Sequence, residues 1–331
     1  MSNCNGRIPL IAVVGCTAGG KSALALFLAQ RFGGEVISCD SMQVYREMDI
    51  GTAKPTPEQM QGIAHRMIDI LPPDAPFSVG EYVRMAKAEI AQTVARGNLP
   101  VVCGGTGLYL DALLRGQTPP PTDTDPAFRA ELTAFVQQNG NEALHARLAA
   151  SDPESAAAIH PNNVRRVIRA LEILHTTGKT KSETDRLSLV PPSEYDACVL
   201  GLRYADRGVL YARIDRRVEE MFDRGLCEET RRLRGQGVFE RSPTAAQAIG
   251  YKELFPYLDG LESRQDALLR LQSATRRYAK RQMTWFYAKS YIRWIEMTEN
   301  GTERPYTQVV ADAEQILTDA GFVPVGSQSG K

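Results

Sequence analysis

Residues 8–22 read IPLIAVVGCTAGGKS, an apolar run followed by a glycine-rich turn, a lysine and a serine. The last eight residues fit the pattern G-x-x-x-x-G-K-[ST] at every fixed position. The apolar run has the character of a buried parallel strand, and residues 21–32 have the pattern of a helix. A glycine turn without function is the alternative, but this strand-loop-helix context favours a phosphate-binding P-loop.

In such a loop, backbone N–H groups and the helix N-terminus hold a diphosphate. Lys21 would add a point charge, and the hydroxyl of Ser22 would be a ligand of Mg²⁺. We therefore expect the diphosphate to be bound by Gly15, Cys16, Thr17, Ala18, Gly19, Gly20, Lys21 and Ser22.

Further strand and helix patterns follow the P-loop. Short apolar runs at 36–39 and 99–103 end in polar or glycine-rich segments, and the second leads into a helical pattern at 108–114. Strands that alternate with helices predict an α/β fold with a doubly wound parallel sheet, similar to that of P-loop NTPases. Ligands of such sheets bind at the carboxyl ends of the strands.

Two side chains follow these strand ends, and each allows two interpretations. Asp40 could simply cap a turn, or its carboxylate could serve as a general base or a Mg²⁺ ligand facing the P-loop. Thr106 stands between glycines, where it could belong to a tight turn or present its hydroxyl to a ligand.

The remaining chain predicts a helical insertion and a helical C-terminal part. Proline-rich segments at 119–126 and 191–192 flank helical patterns at 127–136, 142–149 and 164–175. We expect the core to span residues 1–120 and 193–331, with an all-helical insertion at 121–192. After a strand at 198–202, the pattern predicts long helices over 210–233 and 261–287, a strand at 291–295 and a helix near 309–317.

Composition narrows the classes of protein. The 331 residues include 39 basic and 39 acidic side chains, and no apolar run is long enough to cross a membrane. We expect a cytoplasmic protein without a membrane partner. The six cysteines show no zinc or disulfide spacing. Residues 264–293, however, carry eight basic residues against one acid, a local excess suited to a polyanion.

Several longer segments carry a specific resemblance. Besides the P-loop they are 40–45 (DSMQVY), 48–55 (MDIGTAKP), 104–109 (GGTGLY), 248–252 (AIGYK) and 280–286 (KRQMTWF). Together, and in this order, they resemble the bacterial tRNA dimethylallyltransferase (tRNA isopentenyltransferase) family over roughly residues 8–295.

The resemblance implies transfer of a dimethylallyl group from dimethylallyl diphosphate to N6 of the adenosine just 3′ of a tRNA anticodon. It implies Mg²⁺ as cofactor and the anticodon stem-loop as partner. We further expect a monomer, although the sequence does not fix the oligomeric state. Asp40 matches the proposed base, and Thr106 matches a contact to the target nucleotide. Arg213 and Arg217 match further diphosphate or substrate contacts, although both could instead be helix residues paired with neighbouring acids.

Because the target base is stacked in the anticodon loop, it must turn out into the pocket. Residues matched to tRNA contacts are Asp40, Ser41, Met42, Gln43, Thr106, Arg129, Arg165, Arg166, Val167, Ile168, Arg169, Gln247, Gly250, Tyr251, Lys252, Lys280, Arg281, Gln282, Thr284 and Trp285. For the last five, a solvated helix face with aromatic residues in the core is the alternative.

Three positions depart from the family pattern. Cys16 stands where the family usually has proline, and Arg66 replaces the second histidine of the P-H-H-L-I-D block. Arg165 replaces the glutamine of a glutamine-arginine pair. These changes put a role of the second histidine and the contact of the glutamine in question.

Two other enzymes and a binding module remain as alternatives. An adenylate isopentenyltransferase would act on a free nucleotide, but it would not need the insertion or the basic C-terminal part. A P-loop kinase for small molecules would leave the segments around Asp40, Thr106 and Lys280 unexplained. A module that only binds RNA would not need the P-loop.

Overall fold

Six parallel strands form the centre of the larger part of the molecule. The computed structural model describes residues 6–115, 125–187, 193–242 and 244–326. In chain order the strands are β1 (Ile8–Gly15), β2 (Gly34–Ser38), β3 (His65–Arg66), β4 (Leu99–Gly104), β5 (Tyr195–Arg203) and β6 (Ile292–Glu296). They lie in the order β3-β2-β4-β1-β5-β6, and every pairing is parallel. The predicted fold class is confirmed.

The faces of β1 explain its apolar sequence. Leu10, Ala12 and Val14 belong to one buried core, and Ile11 and Val13 to the core on the other face of the sheet. Side chains alternate between faces along a strand, so a strand covered on both sides needs apolar residues throughout. Because β1 lies between β4 and β5, the P-loop after it stands at the middle of the carboxyl edge of the sheet.

Four helices lie in the first part of the chain: α1 (Lys21–Phe32), α2 (Pro57–Met60), α3 (Val79–Ala95) and α4 (Gly107–Leu114). α1 has the bounds that the sequence predicts. The sequence pattern alone did not reveal α3, although its start carries a signal. Ser78 accepts the N–H of Glu81, and the Glu81 side chain accepts the N–H of Ser78. This capping box is an S-x-x-E pattern that marks a helix start.

The chain divides into two units, Met1–Leu114 with Glu194–Lys331 and Arg115–Ser193. The second contains α5 (Pro126–Ser151), α6 (Pro153–Ala158), α7 (Val164–Thr177) and α8 (Lys181–Leu187), around a small core that includes Leu144 and Val167. Within α5, Gly140 leaves helical geometry, which separates the two helices predicted there. Both ends of the predicted insertion, 121 and 192, fall in the segments 116–124 and 188–192, which lie outside the described residues.

The last part of the chain holds α9 (Arg207–Asp223), α10 (Leu226–Gly235), α11 (Val238–Arg241), α12 (Phe255–Leu258), α13 (Arg264–Tyr287), a hairpin of β7 (Thr298–Glu299) and β8 (Thr302–Glu303), and α14 (Tyr306–Asp319). The prediction of one helix over 210–233 is wrong. Gly225 adopts a left-handed conformation with φ of 98°, which ends α9 and starts α10. No helix in the described ranges combines the length and apolar composition of a membrane span.

Candidate functional site

The P-loop lines a cavity of about 490 Å³ at the carboxyl edge of the sheet. Ala18, Gly19, Gly20, Lys21 and Ser22 contribute to its wall, where β1 has ended and α1 begins. The helix N-terminus thus points its free N–H groups and positive dipole end toward the cavity. This is the geometry that a diphosphate requires.

Lys21 lies partly buried at this wall. Its Nζ donates to the carbonyl oxygen of Cys16 at 2.6 Å, within the loop itself. Burial lowers the pKa of Lys21, because the charged ammonium loses hydration there. A bound phosphate would offset that loss of hydration, so the site favours an anion beside Lys21.

Arginines from α9 face the same cavity. Its wall includes Arg213, Arg216 and Arg217, together with Arg224 just after the helix. Among the described residues that line it, Glu220 is the one acid. Positions three, four and seven apart lie on one face of a helix, so α9 presents a cationic stripe toward the P-loop. The cavity is therefore strongly positive.

Arg213 and Arg217 differ in what they contact. The Nε of Arg213 donates to the carbonyl oxygen of Ala18 at 2.9 Å, and its guanidinium also pairs with Glu303. Ala18 has a positive φ of 58°, so Arg213 supports a strained turn of the P-loop. Burial lowers the pKa of Arg217, while the nearby charge of Asp40 opposes that shift. Arg217 thus lines the cavity, and its charge interacts with that of Asp40.

The sequence patterns did not predict several of the residues that line the cavity. Arg216, Arg224 and His65 all line the wall, and none was predicted as a site residue. The spacing of the arginines along one helix is a signal that could have found the first two. His65 has no such spacing, but it is the first histidine of the family's P-H-H-L-I-D block, and that match could have marked it.

Asp40 follows β2 and holds the turn after it. Its Oδ1 accepts the N–H of Met42 at 2.8 Å and that of Gln43 at 3.4 Å. The turn-capping interpretation therefore describes a real contact of this side chain. Both bonds use Oδ1 and neither uses Oδ2, so capping of the turn does not engage the second oxygen.

Thr106 meets the Asp40 loop directly. Its hydroxyl oxygen accepts the N–H of Ser41 at 3.2 Å, and its own N–H donates to the carbonyl of Cys39 at 3.3 Å. The loops after β2 and β4 are thus joined on both sides of Asp40. A side chain at Gly104 would place Cβ 2.0 Å from the Cys39 carbonyl oxygen, so this close approach requires glycine.

Gln43 links the Asp40 loop to the segment at 49–54. Its Nε2 donates to the carbonyl oxygens of Thr52 and Ala53, and its Oε1 accepts the hydroxyl of Ser38 at 3.0 Å. Ser41, Met42 and Gln43 are all partly exposed. They therefore present an ordered edge to solvent beside Asp40.

The residues predicted for tRNA binding on α13 fall on two faces. Lys280, Arg281 and Thr284 are exposed. Gln282 is only 6% exposed and contacts two loops of the site, while the ring of Trp285 lies against Gly107. A Cβ at Gly107 would lie 2.2 Å from Trp285 Cδ1. Lys280, Arg281 and Thr284 are thus the members of this group that are most open to solvent, and Trp285 is partly exposed.

The segment at 247–252 is divided in the same way. Gln247 and Lys252 are exposed, but Gly250 and Tyr251 are buried. The hydroxyl of Tyr251 donates to Glu229 at 2.9 Å, and its ring packs against Gly51. The side chain of Tyr251 thus supports the protein interior.

The insertion presents two arginines to solvent. Arg165 and Arg166 are exposed, Ile168 packs against the core of the unit, and Val167 is completely buried in it. Arg129 and Arg169 both pair with Glu172, which is buried. Burial raises the pKa of Glu172, but hydrogen bonds from these two arginines outweigh it and lower the pKa overall.

The contacts and burial of Arg66 and Cys16 show the surroundings of two residues that depart from the family pattern. Arg66 Nε donates to Glu35 Oε2 at 2.8 Å, and Arg96 donates to both oxygens of the same carboxylate. Arg66 is therefore part of an ion-pair network at the amino end of β2. Cys16 is completely buried within the P-loop, and burial raises the pKa of its thiol.

Comparison with known proteins gives consistent matches. The sequence profile of the IPP transferase family matches residues 43–289. A tRNA dimethylallyltransferase of Geobacillus thermodenitrificans is 49% identical over 88% of this chain and 91% of its own length. The tRNA dimethylallyltransferase of Bacillus subtilis is 46% identical over 89% of this chain and 92% of its own length.

Solved structures agree with these sequence matches. The tRNA isopentenylpyrophosphate transferase of Bacillus halodurans has 43% identity and a TM-score of 0.69, with 94% of this chain and 96% of that chain covered. A eukaryotic dimethylallyltransferase acting on tRNA has 29% identity and a TM-score of 0.75. The match covers 94% of this chain and 80% of that chain.

Proposed function

The chain belongs to the IPP transferase family, and on this premise we propose that it is a tRNA dimethylallyltransferase. It transfers a dimethylallyl group from dimethylallyl diphosphate to N6 of the adenosine on the 3′ side of the anticodon, and it releases diphosphate. The observation that carries this proposal is the position of Asp40 and Thr106 beside a cation-lined P-loop cavity.

In the reaction, the bond between the allylic carbon and a diphosphate oxygen breaks, and a bond between that carbon and N6 forms. The bonding electrons leave with the diphosphate, so negative charge grows on the leaving group. The backbone N–H groups of the P-loop, Lys21 and Arg217 line the cavity and would stabilise that charge. The P-loop thus serves as a cradle for a leaving group.

The proton of N6 needs an acceptor as the new bond forms. An exocyclic adenine amine is a very weak base, so Asp40 need not deprotonate it in advance. Oδ1 of Asp40 is held by two backbone N–H groups, which fixes the direction of Oδ2. Thr106, joined to the same loop, would orient the acceptor base.

Because the cavity itself is positive, a divalent cation would enter it together with the diphosphate, and we propose Mg²⁺. Ser22 is exposed at the N-terminus of α1 and lines the cavity, so its hydroxyl could be a ligand. Mg²⁺ usually takes one or two protein ligands together with phosphate oxygens and water. When bound, it would neutralise part of the charge on the diphosphate.

For the RNA partner we propose the anticodon stem-loop of a tRNA, bound by a monomer of this chain. Exposed cations are available on α13 at Lys280 and Arg281, and in the insertion at Arg165 and Arg166. Contacts of this type to phosphates give affinity that falls as salt rises. The partly exposed 41–43 segment would contact the acceptor nucleotide next to Asp40.

The test is incubation with Mg²⁺, labelled dimethylallyl diphosphate and, in separate reactions, tRNA, AMP or neither. We expect label on tRNA alone, and loss of that label when the adenosine next to the anticodon is replaced. Label on AMP without label on tRNA would indicate an adenylate isopentenyltransferase. Turnover of ATP with no label on either acceptor would indicate a kinase.

A further inference from the structure

The side chain of Gln282 joins the P-loop to the loop after β4. Its Oε1 accepts the N–H of Thr17 at 2.8 Å, and its Nε2 donates to the carbonyl oxygen of Gly105 at 3.0 Å. Thr17 lies in the diphosphate loop, and Gly105 immediately precedes Thr106. One amide group therefore contacts both the donor side and the acceptor side of the site.

The surroundings of Gln282 leave this amide little freedom. It is 6% exposed, so loss of either hydrogen bond would leave a polar group buried without a partner. A Cβ added at Gly105 would lie 2.1 Å from Nε2 of Gln282. The glycine thus provides the space in which the amide spans the two loops.

The helix that carries Gln282 is a rigid support. α13 has 24 residues, begins with a capping box of Ser263 and Asp266, and is tied to Asp215 of α9 through Arg276. Its neighbours Lys280 and Arg281 point to solvent while Gln282 points inward. A residue on the buried face of a long, capped helix holds its partners at a fixed separation.

We propose that Gln282 is a positioning residue that sets the separation between the diphosphate cradle and the acceptor loop. It acts through Thr17 and Gly105 and does not contact the RNA. This inference rests on the proposed function, because alignment of donor and acceptor matters only if a group passes between them. A misplacement of about 1 Å between reacting groups can reduce the rate about 10²-fold.

The kinetic test compares Gln282→Ala with Gln272→Ala. Gln272 is an equally buried glutamine of α13, also 6% exposed, but its amide faces Asp215 and Glu219 of α9. We expect Gln282→Ala to lower kcat for prenyl transfer about 10²-fold, with the KM for tRNA and the Kd for dimethylallyl diphosphate changed less than about threefold. Gln272→Ala should keep kcat within about threefold.

A third variant, Gln282→Glu, keeps an acceptor for the Thr17 N–H but lacks the donor for the Gly105 carbonyl. We expect its kcat to be as low as that of the alanine variant, because the two loops are again not joined. A raised KM for tRNA with normal kcat in either variant would mean direct RNA contact and would overturn the proposal.

Hydrogen exchange tests the same contact without any turnover. In Gln282→Ala without substrates, the amide of Thr17 should exchange at least about tenfold faster than in the unaltered chain, a change that Gln272→Ala should not produce. If the Thr17 amide exchanged at the same rate in both variants, Gln282 would not hold the P-loop. That conclusion would stand even if the chain did not prenylate tRNA. If the Thr17 amide exchanged faster in Gln282→Ala but the unaltered chain transferred no dimethylallyl group, the proposed function would be wrong. The conclusion that Gln282 holds Thr17 would still stand.

Discussion

Glu229 accepts the backbone N–H of Gly51 at 2.9 Å, although 178 residues separate them in sequence. The same buried carboxylate accepts the N–H groups of Asp49 and Ile50 and the hydroxyl of Tyr251. Glu229 thus anchors the segment at 49–54, whose carbonyl groups in turn hold Gln43. A carboxylate outside the cavity lining thus shapes the edge next to Asp40.

Removal of this anchor should destabilise the protein. Hydrogen bonds to a charged group contribute about 1.5–3 kcal/mol each, and four donors would lose their partner in Glu229→Ala. Because such contributions are not additive, we expect a loss of about 3–5 kcal/mol in the free energy of unfolding, measured by urea denaturation. Glu228→Ala is the matched control, because Glu228 is the adjacent residue and its side chain is 72% exposed. Equal losses in both variants would contradict the anchoring role.

Asp40→Asn separates the two roles of Asp40. The amide keeps an oxygen that can cap Met42 and Gln43, but it is a far weaker proton acceptor than the carboxylate. We expect kcat for tRNA prenylation to fall at least about 10²-fold while tRNA affinity stays nearly unchanged. Asp40→Ala should show the same loss of rate and, in addition, a less ordered turn. Near-normal turnover by Asp40→Asn would exclude Asp40 as the proton acceptor.

The network around Glu35 predicts a pH-dependent stability. Hydrogen bonds from Arg96, Arg66 and Asn98 outweigh burial and lower the pKa of Glu35 from 4.5 to about 2. The folded state therefore favours the ionised carboxylate, which stabilises it fully above pH 4.5 and progressively less as the pH falls through about 2. The shift corresponds to about 3 kcal/mol.

Glu35→Gln should remove this acid sensitivity and reduce stability at neutral pH. The measurement is the free energy of unfolding between pH 7 and pH 2. Glu194→Gln alters the more exposed pair with Lys87 and should change stability by less than about 1 kcal/mol. A pH profile of Glu35→Gln that parallels the unaltered chain would show that another group controls acid unfolding.

Much of the sheet follows from local patterns in the sequence. The apolar run of β1, the P-loop after it and the bounds of α1 could be predicted because each depends on neighbouring residues. The meeting of Asp40 and Thr106 could also be anticipated, since parallel strands end at a common edge. Their hydrogen-bonded connection through Ser41 confirms that the two strand ends lie together.

The partners of buried polar side chains could not be predicted in this way. Glu229 and Gln282 contact segments more than 170 residues away, and a helical pattern does not reveal such partners. The resemblance to the family marked Gln282 and Tyr251 for RNA contact, yet both side chains bond within the protein. RNA contact by any of the matched residues stays a prediction.

The insertion offers a direct test of RNA binding. Arg165 and Arg166 are exposed, so their replacement by alanine should not affect folding. We expect each change to weaken tRNA binding about 3- to 10-fold and to reduce the slope of log K against log salt by about 0.7–0.9. The measurement is a salt titration of tRNA binding by fluorescence anisotropy.

Val167→Ala is the contrasting variant of the same helix. Val167 is completely buried in the core of the insertion, so the change should lower stability by about 1–3 kcal/mol. We expect the salt slope of tRNA binding to remain unchanged. An unaltered slope in both arginine variants would remove this face of α7 from the RNA interface.

Gly105→Ala should act on the same contact as Gln282→Ala. A methyl group at this position would meet Nε2 of Gln282 at 2.1 Å, and the flexible end of the glutamine can move more easily than the backbone. We expect Gly105→Ala to displace the amide from Thr17 and to lower kcat nearly as much as Gln282→Ala does. In the double variant the glutamine side chain is absent, so the methyl group at 105 has room and the two loops are no longer joined. The two losses of rate should therefore not add. We expect kcat of the double variant to equal that of Gln282→Ala within about threefold. Fully additive losses in this double-mutant cycle would show that the two residues act on the reaction independently.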